Sequence, residues 1–268
     1  MYVIESAGLT DVGRRKNNED ALFLDDKQQL YVVADGMGGH LAGEVASGIV
    51  VETLWDYIKR FDNRMDVEEL EDPDESLSKE ANRLLSGIYL ANKSVYQTAQ
   101  GKEDYHGMGS TIASVYFTEN TLIAANVGDS PIYLVHDGTI EQLSVPHTVL
   151  AEQAALDPEG ARQLGGEFRH MLTRAMGVDA SVKADISEIQ CFRGDILVIS
   201  SDGLTDNVDK EEIHAVVKRE RPEKACRILV NMANERGGRD NITVIVLKVK
   251  KTTSKSGGLF HFISKLFK

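Results

Sequence analysis

A chain of 268 residues, 42% of them hydrophobic, is long enough for one large domain or two small ones with a sizeable core. Its formal net charge of −12 argues against general nucleic-acid binding and suits a protein that holds divalent cations. The two cysteines, Cys191 and Cys226, have no metal-ligand spacing, no apolar run reaches the ~20 residues of a spanning helix, and the first residues lack a signal-peptide pattern, so a reducing, cytoplasmic setting is expected.

Residues 1–35 read as strands and loops. Arg14, Arg15 and Lys16 form a basic knot before Asn17-Asn18-Glu19-Asp20, either a solvated turn or an anion-binding arginine beside a metal-binding acid. The apolar run 30–34 predicts a buried strand that ends in Asp35-Gly36-Met37-Gly38-Gly39-His40. Val45, Ile49, Leu54, Trp55 and Ile58 recur at helical spacing and predict a helix over 43–60. An acidic, exposed connection follows over 61–75. A second helix is expected with Asp72 as cap and Pro73 at its first position, running to about Gln100 and stopping at Gly101.

Strands are expected over 111–118 and 121–127, joined as a hairpin by Glu119-Asn120, and again over 131–136 after Gly128-Asp129-Ser130. Residues 145–180 read as a helical, mobile insertion. The stretch 188–200 is strand-like with a turn at Arg193-Gly194-Asp195, helices are expected over 209–219 and 222–236, and a last strand over 242–250. Helix pairs set between groups of strands do not alternate as βαβ units. They argue for an α+β fold, antiparallel sheets flanked by helices with strand ends at one rim.

From Lys248 onward there are six lysines and no acid, so the −12 of the whole becomes −18 for the remainder. Leu259, Phe262, Ile263 and Leu266 fall on one face of a short basic amphipathic helix. It reads either as a helix docked on the body or as a weak membrane-surface or partner contact.

Four expected strand ends carry carboxylates: Glu19-Asp20, Asp35, Asp202 and Asp240. If they converge they make an oxygen-only site of high negative charge, which calls for hard cations or partial protonation. With Gly107-Met108-Gly109-Ser110-Thr111, Asn126-Val127-Gly128-Asp129-Ser130, Leu172-Thr173-Arg174-Ala175-Met176-Gly177, Ser201-Asp202-Gly203-Leu204-Thr205-Asp206 and Gly238-Arg239-Asp240-Asn241, these segments together resemble the type 2C protein phosphatases, the metal-dependent PPM family, in its bacterial branch. The resemblance runs over about 13–249.

It implies a four-layer α-β-β-α sandwich with a flap at about 145–180, a catalytic domain over 1–250 and a separate tail over 251–268. It implies hydrolysis of phosphoserine and phosphothreonine in proteins, with two Mn2+ or Mg2+ ions and a weaker third. Asp35 would bridge the two ions, joined by the Gly36 carbonyl. Asp202 and Asp240 would complete one ion, with Glu19 and Asp20 near the other. Asp129, Asp202 and Asp206 match the third site, and Arg15 the arginine that clamps phosphate. Asp35, Asp202 and Arg15 would carry catalysis. A monomer opposing a cognate Ser/Thr kinase is the expected setting.

Two positions depart from the pattern. Met37 stands where some relatives carry a histidine proposed as general acid, which leaves water as proton donor, with His40 a structural neighbour. Val145-Pro146-His147-Thr148 lacks the usual aspartate before its histidine, and His147 reads as structural. Two other functions fit parts of the pattern: a non-enzymatic regulator that binds phosphoproteins or a kinase, and a phosphatase of small phosphorylated metabolites.

Overall fold

Strand β3 (Leu30–Met37) sets the layering, because Leu30 to Ala34 are all fully buried. A strand so enclosed must be covered on both faces, since successive side chains point opposite ways. Leu30, Val32 and Ala34 pack on helices α1 (Ala42–Asp62) and α2 (Lys79–Gly101). Tyr31 and Val33 point the other way, into a second sheet.

The computed structural model describes residues 2–38, 42–62, 73–119 and 121–252. In the sheet holding β3 the order is β2 (Asp20–Asp25), β3, β5 (Ile112–Phe117), β6 (Leu122–Val127) and β9 (Asp185–Ile189), with β4 (Gly109–Ser110) paired to β3. In the other the order is β1 (Tyr2–Asp11), β11 (Ile242–Thr252), β10 (Ile196–Ser200), β7 (Ile132–His136) and β8 (Thr139–Gln142). Neighbouring strands are antiparallel throughout.

The core divides accordingly. Leu197, Ile199, Ile245 and Leu247 meet Tyr31, Val33 and Val115 between the sheets. On the outer face, Val198, Val244 and Val246 pack on α6 (Lys210–Arg219) and α7 (Pro222–Glu235) through Ile213, Val217 and Leu229. Helices, sheet, sheet and helices form the expected α-β-β-α sandwich. No helix among the described residues is long and apolar enough to cross a membrane.

Most elements fall where the periodicity puts them. The hairpin of β5 and β6 closes with Thr118 N–H donating to the Thr121 carbonyl at 2.8 Å. Helix α2 begins later than expected, at Lys79. Asp74 Oδ1 accepts from both the backbone and the hydroxyl of Ser76, closing a local turn, and Ser78 caps the helix by accepting from Ala81 N–H. A side chain that satisfies its own backbone competes with helix formation. The stretch 188–200 splits between the sheets, β9 in one and β10 in the other. The insertion holds two short helices, α3 (Val149–Leu156) and α4 (Pro158–Ala161), and a 3₁₀ turn at Gly166–Arg169. Residues 253–268 of the tail, the segment 63–72, Gly39 and His40 lie outside the described residues.

Candidate metal centre

Asp20 and Asp35 are register partners on β2 and β3. By strand alternation both share the inter-sheet face with Leu22, Leu24, Tyr31 and Val33. Like charges directly opposite each other destabilise a sheet. The backbone holds them there regardless. The Asp35 N–H donates to Thr111 Oγ1 at 3.0 Å, and its carbonyl accepts from Thr111 N–H and Ser110 Oγ. Asp20 Oδ2 accepts from Ser201 Oγ at 2.8 Å, while Asp20 Oδ1 is buried without a hydrogen-bond partner. Ser201 Oγ in turn accepts from Thr243 N–H, so one hydroxyl ties β2 to the ends of β10 and β11.

The opposite sheet contributes Asp202 and Asp240. Asp202 opens the short helix α5 (Asp202–Thr205) directly after β10. A Cβ on Gly203 would lie 2.0 Å from the Asn241 carbonyl, so glycine lets this turn nest against the 240–241 loop. Asp240 receives Asn241 N–H on Oδ1 and the Arg15 guanidinium on Oδ2 at 2.7 Å. The Asn241 side chain accepts from Glu19 N–H and donates to the Val12 and Asn17 carbonyls, lacing the Arg15 loop to β11. Gly36 N–H donates to the Glu19 carbonyl, and a Cβ at Gly36 would meet the Gly43 carbonyl at 2.1 Å. The Glu19 carboxylate lies against Gly43 in the first turn of α1, where the helix dipole favours an anion.

The charges are crowded. Burial, then Asp20, Asp202, Asp240 and Asp129, pushes the Asp35 carboxyl well above its ordinary value. Burial first, with Asp202 and Asp240, raises Asp20 to about 6 despite its hydroxyl donors. Burial and Asp202 raise Asp129 to about 7. Burial also raises Asp206 and Glu19. Crowded, buried acids of this kind are favoured by a cation among them. Donors that are all carboxylate or carbonyl oxygen, with one orphaned and buried Oδ1, fit Mg2+ or Mn2+ rather than softer metals. The groups open into a cleft of about 900 Å3, lined also by Met37 and by insertion residues Leu172 and Arg174.

Of the site residues named from the sequence, Arg15, Glu19, Asp35, Gly36, Asp129, Asp202 and Asp240 line this cleft, with Asp20 beside Asp35 and Asp206 beyond His170. Sequence reasoning missed His170, which follows the 3₁₀ turn of the insertion. Its Nδ1 is 3.2 Å from Asp202 Oδ2 and its Nε2 is 3.6 Å from Asp206 Oδ1. A lone histidine in a segment without periodicity gives no signal beyond its closeness to Leu172–Gly177. The roles of Ser201 and Asn241 as ties were also unread, although both sit inside quoted motifs. His147 is fully buried, and its Nδ1 accepts from Gly128 N–H at 3.1 Å. The proton therefore sits on Nε2, which faces Asp185 at 3.4 Å. His147 pins the turn that carries Asp129, the structural role read from the sequence.

The family model described as protein phosphatase 2C matches residues 7–241. The serine/threonine phosphatase stp of Listeria innocua serovar 6a is 35% identical over 248 residues, covering 89% of this chain and 93% of its own. Among solved structures, the serine/threonine phosphatase PstP/Ppp of Mycobacterium tuberculosis superposes with a TM-score of 0.78 at 28% identity, covering 92% of this chain and 99% of its own. A PstP catalytic domain in complex with two manganese ions gives 0.78 at 29% identity, covering 94% and 100%.

Proposed function

The chain belongs to the protein phosphatase 2C family, and from that premise we infer that it removes phosphate from phosphoserine and phosphothreonine in proteins, using Mn2+ or Mg2+. The observation that carries this reading is the buried Asp20–Asp35 pair facing Asp202 and Asp240 from the other sheet, with Arg15 at the mouth. Asp35, joined by the Gly36 carbonyl, would hold the two core ions, with Asp202 and Asp240 completing one and Glu19 and Asp20 serving the other. Asp129, Asp202 and Asp206 would hold a weaker third. A bound ion pair lowers the pKa of a shared water to ~7 and so supplies hydroxide as nucleophile.

The rest is work for the chain. Arg15 offers two parallel N–H donors to two phosphate oxygens, which lysine cannot do. Its bond to Asp240 holds the guanidinium at the cleft wall before substrate arrives. Met37 lines the cleft and carries no proton, so the leaving serine or threonine oxygen takes its proton from solvent. The orphaned Oδ1 of Asp20, and acids that otherwise need protons, support a catalytic centre over a regulator that only binds.

The catalytic unit spans 1–250 with its flap at about 145–180, and 251–268 acts as a basic tail making weak membrane-surface or partner contact. The enzyme works as a cytoplasmic monomer opposite a Ser/Thr kinase. The test is phosphate release from a phosphothreonine peptide in MnCl2, in EDTA, and in MnCl2 with Asp202→Asn. Turnover in the first condition alone is expected. Silence in all three would favour the regulator, and preference for a sugar phosphate in competition would favour the metabolite enzyme.

A further inference from the structure

We propose that His170 is a direct nitrogen ligand of the third cation, bound through Nδ1 beside Asp129 and Asp202, with Asp206 behind the imidazole as the carboxylate that orients it. This rests on the metal-dependent reading above and changes one site within it. Asp129, His170 and Asp202 have ligand atoms all within 4.8 Å of one another. An octahedral ion with bonds of about 2.1 Å holds neighbouring donors ~3 Å apart and opposite donors ~4.2 Å apart, so the three donors need only draw together slightly around one ion.

The imidazole has a carboxylate on each nitrogen: Asp202 Oδ2 at 3.2 Å from Nδ1 and Asp206 Oδ1 at 3.6 Å from Nε2. If Nε2 keeps its proton and faces Asp206, Nδ1 is left with its lone pair on the side of Asp202. A carboxylate behind a histidine that faces a cation is the usual way of fixing the tautomer and raising ligand basicity.

Two consequences follow from the donor type. Imidazole binds transition ions in preference to Mg2+, so the third site selects Mn2+ while the all-oxygen sites discriminate less. His170 also belongs to the insertion whereas Asp129 and Asp202 belong to the sheets, so the third ion fastens the insertion to the body.

The test is pulsed EPR of the full chain with one to three equivalents of Mn2+, alongside binding isotherms for Mn2+ and Mg2+. Nitrogen-14 modulation from a coordinated imidazole is expected as the third equivalent binds, and is expected to be absent in His170→Ala. That variant should hold its first two ions normally and lose third-ion Mn2+ affinity by at least about tenfold, since even an outer partner of a metal ligand is worth 10–100-fold. His170→Asp should recover a third ion but without preference for Mn2+ over Mg2+. Asp206→Asn should keep the nitrogen signal and weaken the site. The proposal is overturned if wild type shows no nitrogen modulation at three equivalents, if the signal survives in His170→Ala, or if His170→Ala binds the third ion unchanged. Failure to bind even two ions would instead overturn the metal-dependent reading beneath it.

Discussion

Replacing Asp20 with asparagine should make the ion-free protein more stable while abolishing its chemistry. The Asp20 carboxyl is raised from 3.8 to about 6, with burial as the main cause. At about 1.4 kcal/mol for each tenfold change in proton affinity, keeping it ionised costs the ion-free fold about 3 kcal/mol above pH 6. Asparagine keeps an oxygen for Ser201 Oγ and turns an N–H toward the facing carboxylates. In a domain of this size the melting temperature should rise by roughly 6–12 °C.

The sign follows from the direction of the shift. A carboxyl raised on folding has no penalty well below pH 3.8, where both states carry the proton. The penalty grows as pH climbs from about 4 to about 6 and is complete beyond. Calorimetry in EDTA at pH 7.5 should therefore show Asp20→Asn melting above wild type, with the gap shrinking through pH 4 and closing by about pH 3. In MnCl2 the order should invert, because wild type gains more from ligand binding. A variant that melts at or below wild type in EDTA at pH 7.5, or a gap undiminished at about pH 3, would refute the reasoning.

Arg15→Ala should raise KM for a phosphopeptide far more than it lowers kcat. Its pair with Asp240 is 57% and 40% exposed, so stability should change by less than ~1 kcal/mol; steady-state kinetics and urea titration read both. Gly203→Ala drives a methyl group into the Asn241 carbonyl and should cost about 1–3 kcal/mol together with most activity, an outcome that unchanged urea midpoints would exclude. His147→Leu leaves Gly128 N–H without its acceptor, at a cost of about 1–3 kcal/mol. If that turn positions Asp129, third-ion affinity measured by calorimetric titration should fall with it.

The sandwich was legible because its strands are covered on both faces and its helices on one. Residues 30–34 and 244–247 read as unbroken apolar runs, and Pro222 marks the start of α7. The carboxylates were legible because each sits beside glycine or asparagine at a strand end. Other features depend on competition or on distant contacts. Asp72-Pro73 and Ser78 are both helix-start signatures, and the Asp74–Ser76 turn decides for the second. Which sheet each half of 188–200 joins depends on remote partners, β6 for β9 and β7 and β11 for β10. His170 reaches Asp202 and Asp206 only through the path of an irregular insertion, which no periodicity encodes.

The order of the strands has a consequence for synthesis. Glu19, Asp20 and Asp35 leave the ribosome early, whereas Asp240 precedes the final strand, which lies between β1 and β10. A nascent chain that stops before 240 lacks a carboxylate, the Arg15 anchor and a central strand of its sheet at once. Partial translation products are therefore silent rather than weakly active, and phosphate release begins only on a finished domain.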